Sequence, residues 1–197
     1  MALFLVNARS IAALGVLNLC RFISYRVGVK LGLNPVRRLK GGTPKGMFFK
    51  PRAWSESHYN VPRHWQSEAS LFGYHPFPVK PTPPDWHSNP LTGQRIYQPK
   101  RDWWLIPDFD PAVGDIKLIW ELSRFDWVLA FSQQARVGDL EALKRLNEWL
   151  NDWCQQNPPY KGPNWKCGQE ASIRVLHLAM AAMILEQVSA PSKALLV

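Results

Sequence analysis

Three consecutive helical patterns between Asp115 and Gln187 constrain the fold of this 197-residue chain more than any other feature. Apolar residues recur there at intervals of three, four and seven, the spacing of one helical face. The apolar stripes are Ile116, Ile119, Trp120 and Trp127, with Leu118, Leu122, Phe125 and Leu129, in the first helix; Leu143, Leu146, Leu150 and Trp153 in the second; and Ile173, Leu176, His177, Met180 and Ile184 in the third. The first and third patterns are apolar on more than one face, which predicts helices packed on two sides in a multi-helix assembly.

The boundaries of these helices follow from local chemistry. Asp115 is a good N-cap for the first helix, because its carboxylate can accept hydrogen bonds from free first-turn N–H groups. Gly138 followed by Asp139 predicts a helix stop and a new N-cap. Pro158 and Pro159 end the second helix, since neither can donate the next helical hydrogen bond.

Polar residues beside tryptophans mark the candidate site. Glu121 and Arg124 lie three residues apart, and Glu170 and Arg174 lie four apart, so each pair can meet on its helix. One interpretation is a sugar site, in which indoles stack on a ring while guanidinium and amide groups bind hydroxyls and carboxylates. The other is that both pairs clasp packed helices together, and spacing alone favours it. The candidate substrate-binding residues are Trp120, Arg124, Asn164, Trp165, Glu170 and Arg174.

These residues belong to an ordered series of motifs. It reads Asp-Ile-Lys-x-x-Trp-Glu-x-x-Arg from Asp115, then a helix that starts at Gly138-Asp139 and ends in Trp-x-x-x-Asn-Pro, then Asn-Trp-x-x-x-x-Glu-x-x-x-Arg from Asn164. The series resembles the N-terminal domain of heparinase II/III-type polysaccharide lyases, over a region from about Asp85 to the C-terminus. Each motif alone is weak, whereas the ordered combination is fairly specific.

The resemblance implies an (α/α) toroid of helical hairpins followed by a β-sandwich domain. It also implies β-elimination at a uronic acid of an acidic polysaccharide, no cofactor and a periplasmic location, although no export signal is evident. In that family an Asn or His, a Tyr and a further His act later in the chain, and their motif has no match here. We therefore assign no catalytic residue, and we expect the six candidate residues to shape or support one wall of a sugar cleft.

The charge is unevenly distributed along the chain, and this limits the classes of binding partner. The formal net charge is +9, with +12 in residues 1–101 and −3 in residues 102–197. A basic, aromatic-rich half favours a polyanion, namely nucleic acid, anionic lipid or acidic glycan. Nucleic acid is the weakest of these, because no recognised nucleic-acid-binding pattern is present. The alternative to a lyase is a non-catalytic binding module for an anionic polysaccharide or a membrane surface, and membrane association is not favoured.

The chain divides in sequence into three segments. Residues 1–33 read as a helix whose basic residues Arg9, Arg21, Arg26 and Lys30 scatter around the axis, which favours a packing helix with snorkelling cations over a membrane-surface helix. Residues 34–114 are rich in proline and aromatic residues and predict an ordered loop segment packed on the helices, with short extended pieces at 47–49 and 95–97. Residues 115–197 would begin the toroid.

Neither histidines nor cysteines predict a metal site. His58, His64, His75 and His87 are scattered in the loop segment and are expected at the surface. The three cysteines are Cys20, Cys154 and Cys167, of which the last two could approach each other, although free thiols are favoured.

The three helices are too few to close a toroid. Each hairpin of such a ring covers the apolar face of its neighbour, so we expect a chain that lacks C-terminal domains of the same protein, either as the front portion of a longer protein or as a truncated reading frame. We also expect marginal stability and a tendency to associate through the uncovered face.

Overall fold

The computed structural model describes residues 13, 15–52, 54, 60–66 and 68–196. The chain divides into two compact units, residues 1–40 and residues 41–197. Helices dominate the regular structure, and four α-helices of the described residues are longer than ten residues. The chain is therefore mainly α, as the periodicity predicts. None of the described helices combines the length and the hydropathy needed to cross a membrane. The first twelve residues of the predicted N-terminal helix, and His58, lie outside the described residues.

The first unit is built around helix α1, Val16–Leu31. The helix ends at Gly32, whose φ of 78° lies in the left-handed region that glycine adopts without steric cost. A 3-10 turn follows at Pro35–Arg38, where the Asn34 side chain accepts a hydrogen bond from the Val36 N–H at 3.0 Å.

Most residues of α1 are exposed, and the expectation that this helix packs on other elements stays a prediction. Val29 is the one residue of α1 that is buried, because the turn after the helix folds back there and the Arg37 guanidinium donates to the Val29 carbonyl at 3.3 Å. The large apolar side chains that are exposed on α1 are Val16, Leu17, Phe22, Ile23, Tyr25, Val27 and Leu31.

The second unit contains helices α2 (Lys117–Trp120), α3 (Asp126–Arg136), α4 (Leu140–Gln156) and α5 (Gly168–Ile184). Helix α3 lies in the middle and packs against both α4 and α5. Every residue from Trp127 to Ala135 is buried, including the polar Ser132, Gln133 and Gln134, which explains why the pattern of this helix is apolar on more than one face.

Helix α4 confirms its predicted stripe and boundaries. Leu143, Leu146, Leu150 and Trp153 are all buried. The helix is capped by Asp139, whose carboxylate accepts a hydrogen bond from the Ala142 N–H at 2.9 Å. It ends at Gln156, shortly before Pro158.

The single first helix predicted from Asp115 is wrong, because the chain breaks at Phe125. A 3-10 turn at Glu121–Arg124 follows α2, and Phe125 has a φ of 72°, a costly left-handed conformation for a bulky residue. The buried Phe125 ring packs edge-on against Trp127 and Trp153, with centroids 5.2 and 5.0 Å away. That burial offsets the backbone cost. Asp115 lies in a strand, and its carboxylate accepts from the Lys117 N–H at 2.9 Å.

Two small antiparallel hairpins precede the helices. Strands β1 (Glu68–Leu71) and β2 (His75–Pro78) pair in one, and β3 (Phe109–Asp110) and β4 (Gly114–Asp115) in the other. The extended pieces expected at 47–49 and 95–97 are not strands, although Arg95 forms an isolated bridge with Ser88. The sequence did not predict the first hairpin, because β2 contains prolines, which argue against a strand. Proline is tolerated at a sheet edge, and both strands of a two-stranded sheet are edge strands.

Tryptophans form the centre of the core. Trp86, Trp127 and Trp149 are almost fully buried, and the centroids of Trp127 and Trp149 are 5.2 Å apart. Phe48 and Phe49 are buried in the same cluster. Residues that precede the helices in sequence therefore contribute to the core that the helices form.

Helix α5 is covered on one side only, so the prediction that the third helix packs on two sides is wrong within the described residues. Its buried residues are Glu170, Arg174, Ala181 and Ala182. The apolar residues of its opposite face are exposed, namely Val175, Leu176, Met180 and Met183. Leu176, Met180 and Met183 recur at intervals of four and three, and Val175 lies beside Leu176, so the four form an apolar strip.

Candidate functional site

Arg124 joins two helices through two buried carboxylates. Its Nε and Nη2 donate to the two oxygens of Glu170 at 2.8 and 2.9 Å, and its Nη1 donates to Glu121. The side chains of Glu121 and Glu170 are only 5% and 3% exposed, against 28% for Arg124. This fork between planar groups is the geometry in which arginine binds carboxylates most strongly.

Glu121 and a second carboxylate, Asp126, anchor the first hairpin. The second oxygen of Glu121 accepts a hydrogen bond from the Phe72 N–H at 2.7 Å, and Asp126 accepts one from the Ser70 N–H. On the other side, the Nδ1 of His177 lies 2.6 Å from the Arg124 carbonyl oxygen. The hairpin, the 3-10 turn and α5 therefore meet around Arg124.

Asn157 organises a second, fully buried part of the site. Its Oδ1 accepts from the Asn164 Nδ2 at 2.9 Å and lies 3.1 Å from the His87 Nε2. Its own Nδ2 donates to the Trp153 carbonyl oxygen at 2.9 Å. The Asn164 amide also donates to the Trp86 carbonyl oxygen at 3.1 Å. One side chain after the end of α4 thus connects the loop segment to the loop before α5.

His87 is neutral in this network. Burial lowers its pKa from 6.5 to about 4, even though Asp85 acts in the opposite direction. Since the Asn157 Oδ1 is an acceptor, the neutral ring carries its proton on Nε2 and donates it there. The expectation of a surface histidine is therefore wrong at His87, because Trp86-His87 turns into the core and not into solvent. His75 is exposed as expected.

Arg174 lies against two indole faces. The carbon of its guanidinium is 4.9 Å from the Trp153 ring centroid and 5.4 Å from that of Trp165, within the range of cation–π attraction. Its Nη2 donates to the Asn164 carbonyl oxygen at 2.9 Å. Burial lowers the pKa of Arg174 to about 10, so it stays charged at neutral pH. Its Nη1 and the Asn164 Oδ1 find no hydrogen-bond partner among the described residues.

The loop before α5 is fixed from two further directions. The buried Trp120 indole donates to the Pro163 carbonyl oxygen at 2.9 Å, and the Trp165 indole donates to the Asn157 carbonyl oxygen at the same distance. Gly162 has a φ of 76°, and a Cβ there would lie 2.3 Å from the Pro99 carbonyl oxygen. Only glycine allows this close approach of two backbone segments.

A pocket of about 270 Å³ opens beside Trp153, Trp165 and Arg174. Its remaining lining is mostly apolar and includes Phe125 and Leu178. Cys154 also lines it, and burial raises the pKa of that thiol to about 11, so at neutral pH the thiol is not a nucleophile. All three cysteines are free, as the sequence favours.

The structure places the six predicted site residues in two groups, but most of them are interior. Arg124 pairs with Glu170, and the other four lie at the loop before α5, namely Trp120, Asn164, Trp165 and Arg174. Asn164 is fully buried, and Glu170, Arg174 and Trp120 are at most 9% exposed. Arg124 and the half-buried Trp165 are the members that reach the surface. Glu121, Arg124, Glu170 and Arg174 together carry two positive and two negative charges, so the cluster orders its surroundings without itself presenting a net positive charge.

The site also contains residues that were not among the six predicted from the sequence. Asn157 and His87 complete the buried network, and Trp153 completes the stack on Arg174. The Asn-Pro dipeptide at Asn157 was a visible signal of a loop, whereas the role of His87 depends on a contact between residues 70 positions apart. No group of three ligand-type side chains in the described part of the chain could hold a metal ion.

Comparisons with protein-family models, with curated proteins and with solved structures found no match to this chain.

Proposed function

We propose that this chain is the N-terminal part of a heparinase II/III-type polysaccharide lyase, in which the cluster around Arg124 forms one wall of a cleft for an acidic, uronate-containing glycan. One observation carries the proposal. The residues through which the sequence resembles that family come from three separate stretches that hydrogen-bond to one another. Arg124 of the first donates to Glu170 of the third, and Asn164 and Trp165 of the third donate to Asn157 of the second.

The arrangement of α3, α4 and α5 supports the finer fold that the proposal requires. Only Val137, Gly138 and Asp139 separate α3 from α4, and the two helices pack together as a helical hairpin. The exposed strip on α5 is the face that a further hairpin covers in an (α/α) toroid.

Arg124 is the residue of the cluster best placed to meet a uronate. A guanidinium has five N–H groups, and the contacts to Glu121 and Glu170 among the described residues use three of them. The side chain is 28% exposed. The two carboxylates fix the plane of the guanidinium, and two of its five N–H groups are left for a ligand by these contacts.

Binding is tested with the 197-residue chain on immobilised alginate, a uronate polymer, with neutral dextran as the control polymer. We expect salt-sensitive retention on alginate. The variant Arg124→Lys, which keeps the charge but loses the planar fork, should elute at lower salt than the wild-type chain. Arg145→Lys is the matched control, because Arg145 is 27% exposed and lies near Asp139, away from the cluster. Equal retention of the two variants, both shown to be folded, would exclude Arg124 from the glycan surface.

Lyase activity is tested with a protein that carries this chain together with the catalytic domains that the proposal requires. β-Elimination creates an unsaturated uronate, which absorbs in the near ultraviolet. We expect absorbance to rise when uronate polymers are added. Retention on alginate without any rise in absorbance would support the alternative of a non-catalytic binding module.

A further inference from the structure

Helix α1 presents an apolar stripe to solvent. Val16, Cys20, Ile23, Val27 and Leu31 follow one another at intervals of four and three residues, so they lie on one face of the helix. All five are exposed, and the four large ones are between 47% and 78% exposed. The buried residue Val29 lies on the opposite side, where the turn after the helix folds back.

The unit that carries this stripe is purely basic. Residues 1–40 contain seven Lys and Arg residues and no Asp or Glu. Arg21, Arg26 and Lys30 lie on α1, and Arg38 and Lys40 follow it, all of them exposed. The Arg26 guanidinium lies 5.2 Å from the Phe22 ring centroid, so its stem runs along apolar surface.

We infer that α1 and the basic segment after it dock this protein on an anionic lipid bilayer, with the helix lying along the surface. An exposed apolar stripe is stabilised by an apolar phase, and a segment with seven basic and no acidic residues is attracted to acidic headgroups. The basic residues lie on several sides of the helix, and this is compatible with docking because lysine and arginine stems are long enough to reach the headgroup layer from the flanks.

Two other occupants fit the observations less well. A soluble uronate polymer matches the charge but offers no apolar phase to the stripe. A second copy of the chain would bring another unit of charge +7 against the first, and like charges oppose that contact. The inference is independent of the proposed lyase function, because no residue of the Arg124 cluster takes part in it.

The test is sedimentation of the full chain with vesicles of phosphatidylcholine containing about 30% phosphatidylserine, beside vesicles of phosphatidylcholine alone. We expect binding to the mixed vesicles that weakens with added salt, and little binding to the neutral ones. Each basic residue near an anionic surface contributes about fivefold in affinity, so Arg38→Gln with Lys40→Gln should weaken binding about 25-fold.

The stripe is tested separately with Ile23→Asp and Val27→Asp. Both positions are exposed, so the variants should fold normally, which circular dichroism checks, and bind mixed vesicles at least about tenfold more weakly. Val175→Asp is the matched control, because Val175 is also an exposed apolar residue on a helix, but in the second unit. Its binding should equal that of the wild-type chain.

Three outcomes would overturn the inference. Equal binding to neutral and mixed vesicles would remove the role of charge. An equal loss of vesicle binding in Val175→Asp and Ile23→Asp would show nonspecific hydrophobic adsorption and not binding through the stripe on α1. Absence of vesicle binding together with retention on alginate that depends on Arg38 and Lys40 would assign the basic segment to the glycan. Absence of vesicle binding together with retention on alginate that depends on Arg124 would leave the proposed function intact while this inference failed.

Discussion

At the scale of single residues, Arg124 shows how one side chain can hold several elements together. It binds two buried carboxylates, and one of these carboxylates also accepts a hydrogen bond from a backbone N–H of the first hairpin. The net contribution of such a buried group to stability is small, because desolvation of the charges offsets their attraction. The free energy of unfolding falls strongly only when one partner is removed and the other charges remain buried without it.

Arg124→Ala should therefore destabilise the chain by about 3–5 kcal/mol, because it leaves Glu121 and Glu170 buried without their cation. Urea unfolding at pH 7 measures the change. Arg145→Ala, at a surface pair with Asp139 of 3.8 Å, should cost less than about 1 kcal/mol. Adding Glu121→Gln and Glu170→Gln to Arg124→Ala should restore part of the loss. A loss that stayed the same would show that the uncompensated charges are not its cause.

His87 should make stability depend on pH. Between pH 6.5 and about 4 the unfolded state binds a proton at this residue and the folded state does not, so the free energy of unfolding falls as the pH falls. The full loss is about 3 kcal/mol once the pH is below the folded-state pKa. His87→Gln, which keeps an N–H near the position of Nε2, should flatten the dependence between pH 7 and 4.5 in urea unfolding. An identical pH dependence in both proteins would contradict a neutral buried His87.

At the scale of elements, the loop between α4 and α5 is held by contacts that come from far away in sequence. The Gly162 N–H donates to the Arg101 carbonyl oxygen at 2.7 Å, and the indoles of Trp120 and Trp165 donate to carbonyls of the loop. The position of this loop sets the position of Arg174 through the Asn164 carbonyl. Its backbone therefore controls the geometry of the candidate site.

Two glycine variants separate backbone strain from crowding. Gly73 and Gly162 have φ values of 75° and 76°, but a Cβ at Gly73 meets nothing within 4 Å. Gly73→Ala should cost about 1–2 kcal/mol for the left-handed conformation alone. Gly162→Ala should cost about 1–3 kcal/mol more, because its Cβ would displace the Pro99 carbonyl. Thermal unfolding of the two variants compares them, and equal costs would mean that the loop accommodates the methyl group.

Sequence reasoning succeeded where structure is local and failed where it depends on distant contacts. The stripe of α4 and its Asp139 cap follow from periodicity and one side chain. The break at Phe125 does not, because its left-handed backbone is offset by packing against Trp127 and Trp153. The site residues were recognised as a group by motif order, whereas their burial and the part played by His87 depend on how three stretches fold together.

At the scale of the whole molecule, apolar surface is distributed unequally. The core of the second unit is dense in tryptophan, while α5 leaves Val175, Leu176, Met180 and Met183 open to solvent. Contiguous apolar surface of this kind promotes association in water.

Val175→Asp combined with Met183→Asp should shift the chain toward the monomer in sedimentation velocity at high protein concentration. Both residues are more than 60% exposed, so the free energy of unfolding should change by less than about 0.5 kcal/mol. Association that survives both substitutions would have to arise elsewhere, and a wild-type chain that melts cooperatively as a monomer would contradict the expectation directly.

The separation of charge between the two units has a practical consequence for handling the protein. The formal charge is +9, and removing residues 1–40 with their seven basic and no acidic residues leaves +2. The described core lies beyond Lys40 apart from Val29. A version that begins at Gly41 should therefore keep its tryptophan fluorescence yet elute far earlier from a cation-exchange column, so that a segment of one fifth of the length sets the chromatographic behaviour of the whole.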